Sequence, residues 1–167
     1  MISNTERGKA FQVRCRDALR QALRRDIDLE VPIEIGGGKH HSFDLATRER
    51  DIVAECKAFK FTATGKNPSA KITTLREAVM YLCSLPGNVT RVLIVKHDPH
   101  PTRGETLGCY FVRLNRHLLE QVSVLEMPEG GGDLVCIHGD FDPTRVGAQQ
   151  NPASDACKRP PQMDPEA

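Results

Sequence analysis

An α/β architecture, a mixed central β-sheet flanked by helices, follows from three features of this 167-residue chain. Phe11, Cys15, Ala18, Leu19, Ala22, Leu23 and Ile27 recur at helical intervals behind Ser3-Asn4-Thr5-Glu6, which has the spacing of a capping box. Two apolar-rich segments, 41–47 and 52–59, flank the charged tetrapeptide Arg48-Glu49-Arg50-Asp51, as two antiparallel strands and their turn would. A second helical pattern then leads into Val89 to Val95, a nearly continuous apolar run of the kind that strands buried on both faces carry.

The first amphipathic helix should run for about 20 residues. Leu29, Val31, Ile33 and Ile35 alternate with Glu30, Pro32 and Glu34, a half-exposed strand that Pro32 assigns to a sheet edge. Gly36-Gly37-Gly38 turns the chain into the strand holding Asp44. After the strand holding Lys57 comes a polar loop from Thr62 to Ser69. A helix from Ser69 to Leu85 carries Ile72, Leu75, Val79 and Leu82 on one side, and Pro86-Gly87 ends it. Val89 to Val95 and Leu107 to Leu114 read as strands, with a short helix from Asn115 to Gln121 after them. Val122 to Met127 and Leu134 to His138 flank Pro128-Glu129-Gly130-Gly131-Gly132-Asp133 as a closing hairpin. Residues 1–141 form one domain, and 142–167, with five prolines and few apolar residues, reads as a disordered tail.

The hairpin carries the chemistry. If its loop is centred between Glu49 and Arg50, Thr47 faces Ile52 and Asp44 faces Glu55. Directly opposed residues have Cβ atoms about 4.5–5.5 Å apart on one face. Lys57, two positions beyond Glu55, points to the same face. Two carboxylates this close repel each other and raise the pKa of at least one, a conflict that a divalent cation resolves. Mg2+ (Mn2+ as substitute) would be held by Asp44, Glu55 and the Cys56 backbone carbonyl, with Lys57 positioning or deprotonating a water or stabilising the phosphate under attack. The bland alternative is an incidental ion pair on a solvated hairpin. Against it, Ile52, Val53, Ala54, Cys56 and Ala58 make this a strand buried on both faces, where charges need partners.

Asp44, ten intervening residues and then Glu55-Cys56-Lys57 resemble the motif of the PD-(D/E)xK phosphodiesterase superfamily, the restriction-endonuclease-like fold. The resemblance covers roughly residues 5 to 112 and includes the order of elements around the motif; Phe43 stands where the family has its proline. It implies a restriction-endonuclease-like core and a Mg2+-dependent endonuclease with Asp44, Glu55 and Lys57 as catalytic residues. In that family the first helix commonly lends an acid to the metal; here Gln12 occupies the corresponding place and Glu6 is the nearest acid. Cleavage of phosphodiester bonds in DNA, within a restriction, defence or DNA-processing system, is the implied activity. The alternative is a catalytically inactive nucleic-acid-binding or assembly subunit with the same fold.

Net charge is only +1, but its distribution is uneven. From Lys57 to Arg76 lie Lys57, Lys60, Lys66, Lys71 and Arg76 and no acid, whereas Leu118 to Pro143 carries six acids and no Lys or Arg. Lys60, Lys66, Lys71 and Arg76, with Ser69 at a helix start, are therefore the candidate nucleic-acid contacts, and Lys71 is also a candidate accessory to the site. Cleaving both strands of a duplex would call for a homodimer or a partner subunit. Six cysteines without a CxxC pair read as free thiols in a reducing compartment. His40-His41 and His97-Asp98-Pro99-His100 are weak metal candidates, and Thr64-Gly65-Lys66 lacks the upstream glycine of an NTPase phosphate loop. With no signal peptide and no membrane-spanning run, a cytoplasmic protein is expected.

Overall fold

The capping box forms as the sequence requires: the Ser3 side chain accepts from the Glu6 amide at 3.1 Å, and the Ser3 amide donates to Glu6 Oε2 at 2.7 Å. It starts helix α1, Asn4–Leu23. A computed structural model describes residues 3–64, 66 and 68–145 of the chain. After α1 come strands β1 (Ile27–Gly36), β2 (Lys39–Thr47) and β3 (Ile52–Lys57), helix α2 (Ser69–Cys83) and strand β4 (Thr90–Lys96). Helix α3 (Leu107–Asn115) and strands β5 (Val122–Met127) and β6 (Val135–His138) complete the order, with 3-10 turns at Arg116–Leu118 and Pro143–Arg145. The six strands lie in one mixed sheet in chain order. β1, β2 and β3 pair antiparallel, β3, β4 and β5 pair parallel, and β6 closes antiparallel on β5.

Helices cover both faces. α1 buries Phe11, Cys15, Leu19 and Leu23 against Ile52, Ala54, Val92 and Ile94. α2 and α3 bury Ile72, Leu75, Leu82 and Phe111 against Val53, Leu93, Val95 and Val124 on the other face. Alternate residues of β3 and β4 thus feed two separate cores, which accounts for their nearly unbroken apolar sequence. Each fully buried Leu or Phe contributes roughly 1.5–3 kcal/mol of transfer free energy. The buried Arg91 guanidinium donates to the carbonyls of Leu82 (3.0 Å), Leu85 (2.7 Å) and Pro86 (2.9 Å), tying the C-terminal end of α2 to β4.

Simple alternation fails at one place that matters. Leu29 and Leu45 pair and pack on the α1 side, yet Val31 and Phe43, the next pair at the same parity, pack on the α2 side. Glu30, between them, has φ of +52°, a left-handed conformation that flips the ladder's faces. Asp44, opposite that kink, sits at the crossover.

Several expectations are corrected. Leu107 to Leu114 is helical, not a strand. Thr106 caps it by accepting from the Cys109 amide at 3.1 Å, and Leu107, Tyr110 and Phe111 fall on one buried face. Its β-branched and aromatic residues mimic strand composition, and the cap outweighs them. The short helix after it spans only Arg116–Leu118. Just past residue 141 the chain makes a 3-10 turn, Pro143–Arg145, in which Pro143 is buried; the rest of the expected tail lies outside the described residues. Cys15, Cys56, Cys83 and Cys136 are free thiols; Cys109 is not among them. Among the described residues no helix is long and apolar enough to cross a membrane.

Candidate functional site

The pairing of β2 with β3 fixes the site. Leu45 faces Ala54 and Ala46 faces Val53, the register expected from the charged turn, whose continuation by one rung would set Asp44 opposite Glu55. The ladder opens beyond Leu45, and the Asp44 side chain takes over: its Oδ2 accepts from the Cys56 amide at 2.7 Å. Lys57 Nζ then bridges the two acids, 2.6 Å from Glu55 Oε2 and 3.3 Å from Asp44 Oδ2. The structure brings Asp44, Glu55 and Lys57 together as the hairpin register requires.

Burial sets their electrostatics. The Glu55 side chain is only 4% exposed. That desolvation pushes its carboxyl above the ordinary range, and the Asp44 charge adds to the push, while Lys57 and His41 oppose it. Burial alone would pull the Lys57 ammonium down; the charges of Glu55 and Asp44 outweigh it, and the net shift is upward. Two carboxylates against one ammonium leave a charge of −1 when all three are ionised, so the cluster still attracts a cation.

Two further residues complete the shell. Gln12, buried on α1, donates through Nε2 to the Asp44 carbonyl at 3.0 Å and to Oδ1 at 3.2 Å. His41 Nε2 lies 2.8 Å from Glu55 Oε1, and its ring stacks on Tyr81 with centroids 3.8 Å apart. In the sequence His41 was only one of several weak metal candidates. The face switch at Glu30 delivers it to Glu55, and nothing in the residue pattern signals that switch.

The donor chemistry suits a hard cation: two carboxylates, with the Cys56 backbone turned to the β2 side. The Lys57 ammonium stands between the carboxylates where such a cation would lie, so metal entry requires Nζ to withdraw from Glu55. Among the described residues no group of three or more His, Cys, Asp or Glu side chains is disposed to enclose a metal alone. Water would have to complete the coordination of a cation held by two carboxylates, as is usual for Mg2+.

The outlying candidates divide. Lys60 and Lys71 flank the site: both line a cavity of about 480 Å3 beside Lys57, and Lys71 Nζ donates to the Lys60 carbonyl at 2.6 Å. Glu6 is not at the site. Its carboxylate is exposed and serves the helix cap, and the Ser3 backbone and hydroxyl bonds lower its pKa. Ser69 opens α2 exposed, and its carbonyl accepts from Thr73. Lys66 is exposed, and its carbonyl accepts from Thr62. Arg76 turns away, donating to buried Asn115 at 2.7 Å and so joining α2 to α3. Sequence spacing overlooked Glu126 on β5, a second buried acid whose oxygens are satisfied by Thr106 at 2.5 Å and His97 at 2.7 Å. Comparison of the whole chain with protein-family models, curated proteins and solved structures finds no match.

Proposed function

We propose that the protein is a metal-dependent nuclease of the PD-(D/E)xK type that hydrolyses phosphodiester bonds, with DNA as its substrate. One observation carries this reading: Asp44 and Glu55, with ten residues between them across a hairpin, share one ammonium supplied by Lys57. A partly buried −1 cluster whose lysine lines a basic cavity has no evident structural purpose, since apolar residues would hold β3 in place equally well.

Asp44, Glu55 and the Cys56 carbonyl would hold Mg2+, with Mn2+ as substitute; when bound, the ion supplies charge neutralisation at the phosphate and an acidified water. Gln12 fixes the Asp44 carboxylate through Oδ1 and leaves its Oδ2 edge toward β3. His41 holds Glu55 through Oε1 and leaves Oε2 toward Lys57. Lys57, released from Glu55, places a positive charge beside the attacked phosphate and orients the attacking water. Lys60 and Lys71 draw the nucleic-acid backbone to that point.

A second reading has its own support. Every carboxylate oxygen of Asp44 and Glu55 already has a donor, and a glutamine stands where a helix-one acid would add charge. A nucleic-acid-binding or assembly subunit that has lost cleavage would look like this. Purified protein incubated with plasmid, single-stranded DNA and RNA in Mg2+, Mn2+ or EDTA separates the two. Metal-dependent cleavage that vanishes in Asp44→Ala and Lys57→Ala, with folding intact, supports the nuclease. Undiminished binding without cleavage supports the subunit.

A further inference from the structure

The cavity beside the site is built from three elements. Arg7 and Gly8 come from the first turns of α1, Lys57, Phe59 and Lys60 from the end of β3 and the segment after it, and Lys71 from α2. Four of its lining side chains are cationic, and none is a carboxylate. At about 480 Å3 it falls within the roughly 300–1,000 Å3 typical of small-ligand pockets. Lys57 is its shared wall with the carboxylate pair, touching Asp44 and Glu55 on one side and the cavity on the other.

From this juxtaposition we infer that the cavity binds the terminal phosphate of a nucleic-acid end, so that the enzyme acts from phosphorylated ends rather than within a continuous strand. The inference rests on the phosphodiesterase reading and names its substrate class. An internal phosphodiester carries one negative charge; a phosphomonoester carries about 1.5–2 at pH 7 and offers three acceptor oxygens. Arg7, Lys60 and Lys71 line it together with Lys57, whose ammonium is shared with Asp44 and Glu55, and a lining that holds no acid of its own favours the more highly charged group. Phe59 adds an aromatic side chain on which the terminal base can stack, a contact that tolerates any base. Gly8 leaves the wall open: a Cβ placed there would meet nothing within 4 Å.

The test uses the full chain with linear DNA bearing a 5′-phosphate, a 3′-phosphate or hydroxyls at both ends, and with covalently closed circular DNA. One of the phosphorylated ends should be cut at least tenfold faster in kcat/KM than the hydroxyl end, and the closed circle slowest. In EDTA, the same phosphorylated oligonucleotide should bind at least tenfold tighter by fluorescence anisotropy. Gly8→Leu fills the cavity at a helical position where leucine is a better helix former than glycine, and Lys71→Met removes one cation. Both should bring the phosphate-to-hydroxyl ratio toward one, with circular dichroism unchanged. A closed circle cut as fast as the phosphorylated end, or binding ratios within twofold, overturns the end-binding inference and leaves the nuclease standing. Selective binding of a phosphorylated end without cleavage of any substrate sustains the cavity's role and overturns the nuclease.

Discussion

His41 Nε2 lies 2.8 Å from Glu55 Oε1, so a half-buried histidine of β2 supports the most deeply buried acid of the site. The contact joins a strand that changes face to one that does not. It is the point at which the kink at Glu30 becomes a property of the site. His41→Phe keeps a ring against Tyr81 and deletes the hydrogen bond. One oxygen of a buried carboxylate then lacks a donor, at a cost of about 1–3 kcal/mol in urea denaturation at pH 7. The Glu55 pKa should rise further, shifting the acidic limb of the pH–rate profile to higher pH. Unchanged stability together with an unmoved profile would remove His41 from this role.

Lys57→Met leaves two carboxylates facing each other without their ammonium. Removing one partner of a buried ion cluster typically costs about 3–5 kcal/mol. The sign follows from Glu55, whose folded pKa is raised above 4.5. Its contribution to stability is present below that value and is lost as pH rises through the raised one. Thermal melts should therefore show the variant's deficit growing from pH 4.5 upward. Mg2+ should also raise the variant's Tm more than that of the unsubstituted protein, because the cation position is vacated. Equal melts at pH 4.5 and 7, with no effect of Mg2+, would contradict the electrostatic account.

Asp51 closes the hairpin that sets the register. Arg25 donates to both its oxygens at 2.7 and 2.9 Å, and Thr47 donates at 2.6 Å. The Arg25 and Thr47 bonds, Arg25 first, pull its pKa from 3.8 to about 2. A depressed carboxylate stabilises the fold above its unfolded pKa, and that stability is lost as pH falls through the folded value. Asp51→Asn should thus lower Tm at pH 6, and the gap should close between pH 4 and about 2. With the side chain 48% exposed, solvent screening limits the effect to at most about 1 kcal/mol. A gap independent of pH would assign the effect to something other than this charge.

Arg91 tests the scaffold alone. Its substitution by Met keeps the apolar stem but strands the carbonyls of Leu82, Leu85 and Pro86 at the end of α2. The expected loss is at least about 2 kcal/mol by chemical denaturation. A loss below about 0.5 kcal/mol would show that water replaces the guanidinium at these carbonyls.

What could be read from the chain was what period 2 and period 3.6 encode. The charged tetrapeptide 48–51 centred the hairpin, and counting outward gives the register that pairs Ala46 with Val53 and Leu45 with Ala54. The capping box and apolar spacing of α1, the run of α2 and the apolar β4 were equally legible. A left-handed residue such as Glu30 leaves no periodic trace, so the face switch that brings His41 to Glu55 was invisible. The same limit hid the partners of Gln12 and Arg76, which depend on how α1 and α2 pack rather than on local pattern. Leu107 to Leu114 reads as a strand because its residues suit either period; the Thr106 cap marks it as a helix.

The most direct measurement is the rate of phosphodiester cleavage by purified protein in Mg2+, compared with Asp44→Asn, a nearly isosteric change that removes one charge from the pair. EDTA should abolish cleavage, and Asp44→Asn should reduce it at least about a hundredfold with the variant's melting transition retained. Cleavage that persists in EDTA, or an Asp44→Asn variant as active as the unsubstituted protein, would contradict the nuclease proposal.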